Sequence, residues 1–163
     1  MQKKGVVILD FGSQYTQLIA RRVRELNVYS EILSSNTHLS QIIERDPSAI
    51  ILSGGPSSVF GDEAPSFDKK IFDIDIPILG ICYGLQLLAH HHGGLVESNG
   101  QGEYGFAKIE VDDDKKLFQN VSKSSQVWMS HMDRVTKLPD GWHTLAHSSN
   151  GVIAAMANKN QTR

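Results

Sequence analysis

The sequence predicts an α/β fold: a doubly wound, mostly parallel sheet with helices on both faces, joined in its second half by antiparallel strands. Three observations predict it. Short runs of Val, Ile and Leu recur through the first half, and two of them, GVVILDF (Gly5–Phe11) and AIILS (Ala49–Ser53), are almost continuously apolar. Strands of that kind are covered on both faces, as in a parallel sheet. Helical patterns lie between the runs, at the pitch of strand–helix–strand units. After about residue 93 the pattern changes to short strands separated by turn residues.

The elements follow in order. Gly5–Phe11 is the first strand. From Ser13 to Leu26, the residues Tyr15, Leu18, Ile19, Ala20, Val23 and Leu26 recur at helical spacing, with Arg21, Arg22, Arg24 and Glu25 mostly elsewhere. Val28–Leu33 is a second strand, Leu39–Arg45 a short helix and Ala49–Ser53 a third strand. Ser66–Phe72 reads as another short helix and Ile76–Ile81 as a fourth strand. Gly84–His92 is helical and closes on Gly93-Gly94, a C-cap pair. The second half holds strands at Gly94–Ser98, Tyr104–Val111, Gln126–Ser130, Val135–Leu138, Thr144–Ser148 and Val152–Ala157. Ser98–Gly102 and Asp112–Lys116 read as turns between them.

Composition narrows the class of function. The 163 residues are 40% hydrophobic and 21% charged, the balance of a folded domain with a sizeable core. A formal net charge of −2 and a pI near 6.4 point away from nucleic acid as a partner. A single cysteine, Cys82, forms no internal disulfide and no Cys-rich zinc site, which suits a reduced, cytoplasmic setting. Without a long apolar run or a signal-like start, no membrane association is expected.

The strongest chemical signal is Gly80-Ile81-Cys82-Tyr83-Gly84, between an apolar strand and a helical pattern. This is the G-x-nucleophile-x-G elbow, with cysteine as nucleophile. A sharp strand-to-helix turn strains its central residue, and small flanking residues avoid clashes across the turn. The following helix N-terminus is expected to lower the thiol pKa. A buried structural cysteine after a core strand is the competing reading. Ser53-Gly54-Gly55-Pro56, at the end of another strand, supplies main-chain N–H groups of the kind a developing oxyanion needs, with the N–H of Tyr83 as the partner donor. Taken alone it reads equally as a turn. Asp10-Phe11-Gly12 spells a kinase tripeptide without the rest of the kinase set, and no P-loop occurs. His90-His91-His92 lies on a helix, where successive residues point about 100° apart, so a solvated helix end is the better reading than a metal tract. Asp112-Asp113-Asp114 reads as a polar turn.

Gly80–Ala89 (GICYGLQLLA), with Ser53–Pro56 upstream, resembles the class I glutamine amidotransferases. Ile8–Glu25 (ILDFGSQYTQLIARRVRE), Ile50–Ser57 (IILSGGPS), Glu103-Tyr104-Gly105 and Val127–Val135 (VWMSHMDRV) resemble the GMP-forming branch of that family, over nearly the whole chain. The resemblance implies a flavodoxin-like fold and a role for each motif residue. Cys82 attacks the side-chain amide of glutamine. Gly55 and Tyr83 form the oxyanion hole through their N–H groups. Gln86 holds the glutamine, and Ser130 and Asp133 hold its amino-acid end. No metal is implied in this domain and no cofactor. ATP and Mg belong to an ATP-pyrophosphatase domain that aminates XMP to GMP, implied as a partner in an enzyme that is a homodimer at full length.

Two departures from the family pattern stand out. Met132 occupies a position where the family often has a small or polar residue, which reshapes the pocket floor. The H-P-E segment that completes a Cys-His-Glu triad has no counterpart: no H-x-E occurs among the 163 residues. The expectation is therefore a C-terminally incomplete domain spanning 1–163, lacking its ATP-pyrophosphatase domain and weakly active or inactive alone. Such a domain is expected to show a raw sheet edge or an exposed apolar patch. His131 and His147 remain as conceivable substitute bases. A glutamine-binding module without turnover, or another cysteine-elbow hydrolase, are the alternative functions.

Overall fold

The computed structural model describes residues 4–163, and for residues 99–101 the main chain alone. The chain divides into two compact units, Met1–Leu87 and Leu88–Arg163.

The first unit is built on β1 (Val6–Asp10), β2 (Ser30–Ser34), β3 (Ala49–Leu52) and β4 (Ile78–Gly80), all parallel, in the order β2-β1-β3-β4. Its continuous apolar runs become buried strands: Ile8, Leu9, Ile50 and Leu52 have no exposed surface. Chain order reverses between β1 and β3, and open α/β sheets bind ligands outside the carboxyl ends of their strands at that switch point. The loops after β1 and β3 leave from there.

Helix α1 (Thr16–Glu25) packs Ala20, Ile19 and Val23 against Ile8 and Ile51. Its start is set by Asp10, whose Oδ1 accepts from the Gly12 N–H at 2.9 Å and the Thr16 hydroxyl at 2.8 Å. That turn is what the D-F-G tripeptide does. The helix ends on Asn27 at φ 60, with the Val28 N–H returning to the Val23 carbonyl. The cap takes up Asn27 and Val28, so β2 begins at Ser30 rather than at Val28. The apolar stripe read for α1 is too wide: Tyr15, Leu18 and Leu26 are exposed. Helix α2 (Leu39–Ile43) stops two residues early, and Ser66–Phe72 yields one 3-10 turn, Lys69–Phe72. Asp68 ties the two together, accepting from the N–H groups of Leu39 and Lys70. Helix α3 (Tyr83–His91) follows β4 and closes on Gly93 at φ +88, with the Gly94 N–H on the Ala89 carbonyl, as its glycine pair predicts.

The antiparallel strands of the second half are not attached to the parallel sheet. They form a sheet of their own, β6-β5-β7-β8, from β5 (Leu95–Val111), β6 (Ser124–Lys137), β7 (Trp142–Ser148) and β8 (Ile153–Asn158). The four strands predicted over Gly94–Leu138 are two long ones. Residues 98–102, read as a turn, belong to β5, which keeps its direction through a register shift between Ser98 and Glu103. S-H-M-D lies within β6. The inner face packs Ile109, Leu145, Ala146, Ala155 and Ala157 with Val127 and Met129. On the outer face Phe106 meets Trp128 across the strand pair, ring centres 5.0 Å apart and edge to face, beside an exposed Tyr104. Among the described residues no helix is long and apolar enough to cross a membrane.

Candidate active site

The elbow forms as its spacing predicts. Cys82 adopts φ 50, a left-handed conformation that strains a residue bearing a Cβ. The two glycines are there for space. A Cβ on Gly80 would stand 2.4 Å from the Gly84 carbonyl, and one on Gly84 would stand 2.4 Å from the Leu52 oxygen. The turn is held by Ile81 N–H to the Leu52 carbonyl and by Gly84 N–H to the Ile81 carbonyl, each at 3.0 Å. Cys82 is an exposed residue at the start of α3.

The loop after β3 lies against this elbow. Ser53 is fully buried; its Oγ accepts from the Phe11 N–H at 2.9 Å and donates to the Gly54 carbonyl at 2.8 Å. A Cβ on Gly54 would lie 3.5 Å from the Cys82 Cβ and 3.6 Å from the Ser13 Oγ, so nucleophile, S-G-G-P loop and β1 loop share one corner. Gly55 is pressed on the Phe11 carbonyl, where a Cβ would come within 2.4 Å. The Phe11 ring packs on Tyr83 at 5.3 Å. The structure therefore brings together Cys82, Tyr83 and the Gly54-Gly55 loop. Gln86 sits one turn into α3, its N–H on the Cys82 carbonyl, and is buried. Phe11 and Ser13 complete the corner and were given no site role by the sequence; Ser53 was singled out there only as part of the S-G-G-P run, without a role for its side chain.

Partial burial pushes the Cys82 thiol up, although the residue as a whole is exposed. This is opposite to the lowering expected from the helix N-terminus. Burial removes water from the thiol, and among the described residues no cation beside it opposes that effect. Burial likewise raises the Tyr83 phenol, whose expected role uses its main chain alone.

Ser130 and Asp133 lie in the second unit, on β6. A spacing of three along a strand places two side chains on opposite faces. Accordingly Ser130 and Met132 are exposed and Asp133 is buried. His131 points inward between them. Its Nδ1 is 3.0 Å from the Asp133 carbonyl and its Nε2 is 3.4 Å from a Glu103 carboxylate oxygen. Both ring nitrogens thus lie against oxygen atoms of β5 and β6. The Nδ1 of His147 is likewise engaged, 2.8 Å from Asp112.

The remaining motifs are structural. Asp113 accepts from the Lys115 N–H and from Gln161, and the first of these leads in holding its carboxyl below the usual range. His90 and His91 are exposed at the end of α3. Among the described residues no three metal-type side chains are grouped.

A family model described as glutamine amidotransferase class-I matches residues 7–163. A Campylobacter jejuni protein named GMP synthase [glutamine-hydrolyzing] is 52% identical over 161 residues, 99% of this chain and 32% of its own length. One of the same name from Trichormus variabilis is 49% identical over 97% of the chain and 29% of its own length. The chain thus spans about a third of the length of the curated relatives it matches. Among solved structures, a Thermoplasma acidophilum protein described as a putative GMP synthase subunit superposes with a TM-score of 0.87 at 28% identity, covering 99% of this chain and 81% of that one. A Thermotoga maritima glutamine amidotransferase shares the fold at a TM-score of 0.76 and 22% identity, over 97% of this chain and 73% of its own. With the cysteine elbow and its S-G-G-P loop in place, and a match over nearly every residue, the chain belongs to the class-I glutamine amidotransferases.

Proposed function

We propose that this chain is the glutamine-hydrolysing portion of an enzyme that aminates XMP to GMP. The observation that carries the reading is Cys82, strained at φ 50 on a glycine-flanked elbow with Gly54 and Gly55 packed beside it. In the proposed reaction the Cys82 sulfur bonds to the side-chain carbonyl carbon of glutamine. The N–H groups of Gly55 and Tyr83 receive the negative charge that develops on the oxygen. The carbon–nitrogen bond breaks, ammonia leaves with the thiol proton, and water hydrolyses the thioester to glutamate. Gln86 holds the side-chain end. Asp133 holds the amino-acid end, with its carboxylate as counter-charge to the ammonium; Ser130, expected beside it, projects from the opposite face of β6.

The ammonia is used by an ATP-pyrophosphatase domain, which would carry ATP and Mg; the greater length and the names of the relatives support such a partner. A homodimer of the full-length enzyme and a cytoplasmic setting belong to the same proposal. So does the assignment of residues 1–163 to an amidotransferase domain; no H-x-E segment occurs among them. Burial pushes the Cys82 thiol up, so the proposed reaction needs a base to take its proton.

The test is glutamate release from glutamine by three proteins: the 163-residue chain, the chain extended in frame through a His-Glu segment, and the extended chain carrying Cys82→Ala. Release by the extended chain alone is expected. Release by the Cys82→Ala protein would remove the nucleophile from the mechanism, and equal release by the short chain would remove the need for the missing pair.

A further inference from the structure

Ser53 has no exposed surface, and its hydroxyl makes two short bonds. The oxygen accepts from the Phe11 N–H at 2.9 Å, and the hydroxyl donates to the Gly54 carbonyl at 2.8 Å. A hydroxyl has one proton, and a main-chain N–H can only donate to it. The Phe11 bond therefore leaves that proton to the Gly54 carbonyl.

The Gly54 carbonyl and the Gly55 N–H belong to one peptide unit. In a trans peptide the two point in opposite directions, and the chain has no cis bond among the described residues. A hydroxyl that holds the carbonyl on the Ser53 side thus turns the Gly55 N–H away from that side. Among the described residues no acceptor is paired with this N–H, so it is open to a ligand. The side of Gly54 on which a Cβ would stand lies 3.5 Å from the Cys82 Cβ.

The two glycines do not hold this peptide by themselves. Its rotation is set by ψ of Gly54 and φ of Gly55, and glycine takes either sign of φ at little cost. A Gly-Gly peptide without a fixed carbonyl can turn over, and its N–H then moves to the other side. The same hydroxyl also holds Phe11, whose carbonyl lies against Gly55 and whose ring packs on Tyr83 at 5.3 Å. One buried side chain ties the β1 loop to the β3 loop beside both expected oxyanion donors.

We infer that Ser53 is a positioning residue for the oxyanion hole: its hydroxyl sets the Gly54-Gly55 peptide so that the Gly55 N–H meets the charge developing on the substrate oxygen. The inference rests on the reading of Cys82 and Gly55 given above. Ser53 acts through the peptide and not on the substrate.

The test compares two reactions of Cys82 in the 163-residue chain. p-Nitrophenyl acetate acylates the sulfur: a carbon–sulfur bond forms at the ester carbonyl, negative charge gathers on its oxygen, and p-nitrophenolate leaves without needing a proton. Iodoacetamide alkylates the sulfur by displacement of iodide at a saturated carbon, and no such charge develops. The p-nitrophenolate burst rate and the iodoacetamide rate are read at one pH in the parent, Ser53→Ala and Ser53→Thr. In Ser53→Ala the burst rate is expected to fall about 10-fold or more, as loss of an oxyanion donor requires. Its iodoacetamide rate stays within about 2-fold of the parent, because the thiolate itself is untouched. Ser53→Thr keeps the hydroxyl and stays within about 3-fold in both reactions. Equal losses of both rates in Ser53→Ala, no loss of either, or a Ser53→Thr burst as slow as that of Ser53→Ala would each overturn the inference. Each variant is judged by its own ratio of burst rate to iodoacetamide rate, so if one fails to fold the other decides. A parent without a burst, or a burst that survives in Cys82→Ala, overturns instead the nucleophile reading on which the inference rests.

Discussion

At Cys82 two local effects oppose each other. The start of α3 favours a thiolate, while burial of the thiol disfavours it and pushes it up. Since the thiolate is the nucleophile, a raised thiol leaves less of it near neutral pH than a free cysteine has. The iodoacetamide rate at Cys82 should therefore climb through a midpoint above that of a free cysteine measured alongside. The sign for stability agrees: a folded-state value above the unfolded one favours the folded chain at lower pH, and that contribution is lost as pH rises through the folded value. A midpoint below the free thiol's would show that the helix terminus prevails. The elbow was legible in the sequence because its demand for glycine is set by a sharp turn and the strand it leaves. The direction of the thiol shift was not, because burial of the thiol is set by tertiary packing, and Gly54, which lies beside the elbow, comes 28 residues earlier in the chain.

Among the elements, the strand ends at the switch point set the site, and their glycines differ in what they do. Gly84 is fixed by β3: its missing Cβ leaves room for the Leu52 oxygen, which a side chain would approach to 2.4 Å. Main chain on both sides cannot yield cheaply, so Gly84→Ala should cost about 2 kcal/mol or more in denaturant unfolding. Gly54 has ordinary contacts at 3.5–3.7 Å and no left-handed backbone. Gly54→Ala should therefore fold with stability within about 1 kcal/mol of the parent while its methyl fills the corner beside Cys82. Equal destabilisation by both would show that the S-G-G-P loop is as tightly packed as the elbow. The parallel strands were legible because burial on both faces leaves apolar runs that nothing else explains. β5 and β6 were not. Their outer face carries Ser130, Met132 and Trp128 in alternation with inward residues, and H-M-D-R interrupts any apolar run, so one strand looked like two. The same alternation separates Ser130 from Asp133, which motif spacing alone did not reveal.

For the molecule as a whole, the two units bury separate clusters of different texture. In the first, Ile8, Ala20 and Ile51 are backed by five larger side chains, among them Ile19, Val23 and Ile32. In the second, Leu145 is packed among Ala146, Ala155, Ala157 and Ile109. Three of its four buried neighbours are alanines, which have no rotamers with which to refill a void, so closure over a cut-back Leu145 is left to Phe118, Val127 and Met129 at the cluster's margin. Deletion costs rise with the volume left empty. Leu145→Ala should therefore fall in the upper part of the usual range, at about 3–5 kcal/mol. Both tryptophans, Trp128 and Trp142, lie in this unit, so their fluorescence follows its unfolding directly. With a urea dependence of about 2 kcal/mol per molar, the fluorescence midpoint should drop by roughly 1.5–2.5 M. Ile109→Val, which removes one methylene from the same cluster, should move it by well under 1 M, since such a change costs about 0.5–1.5 kcal/mol. A Leu145→Ala midpoint close to that of Ile109→Val would mean that the cluster closes over the gap, and that its alanines are less rigidly placed than their burial indicates.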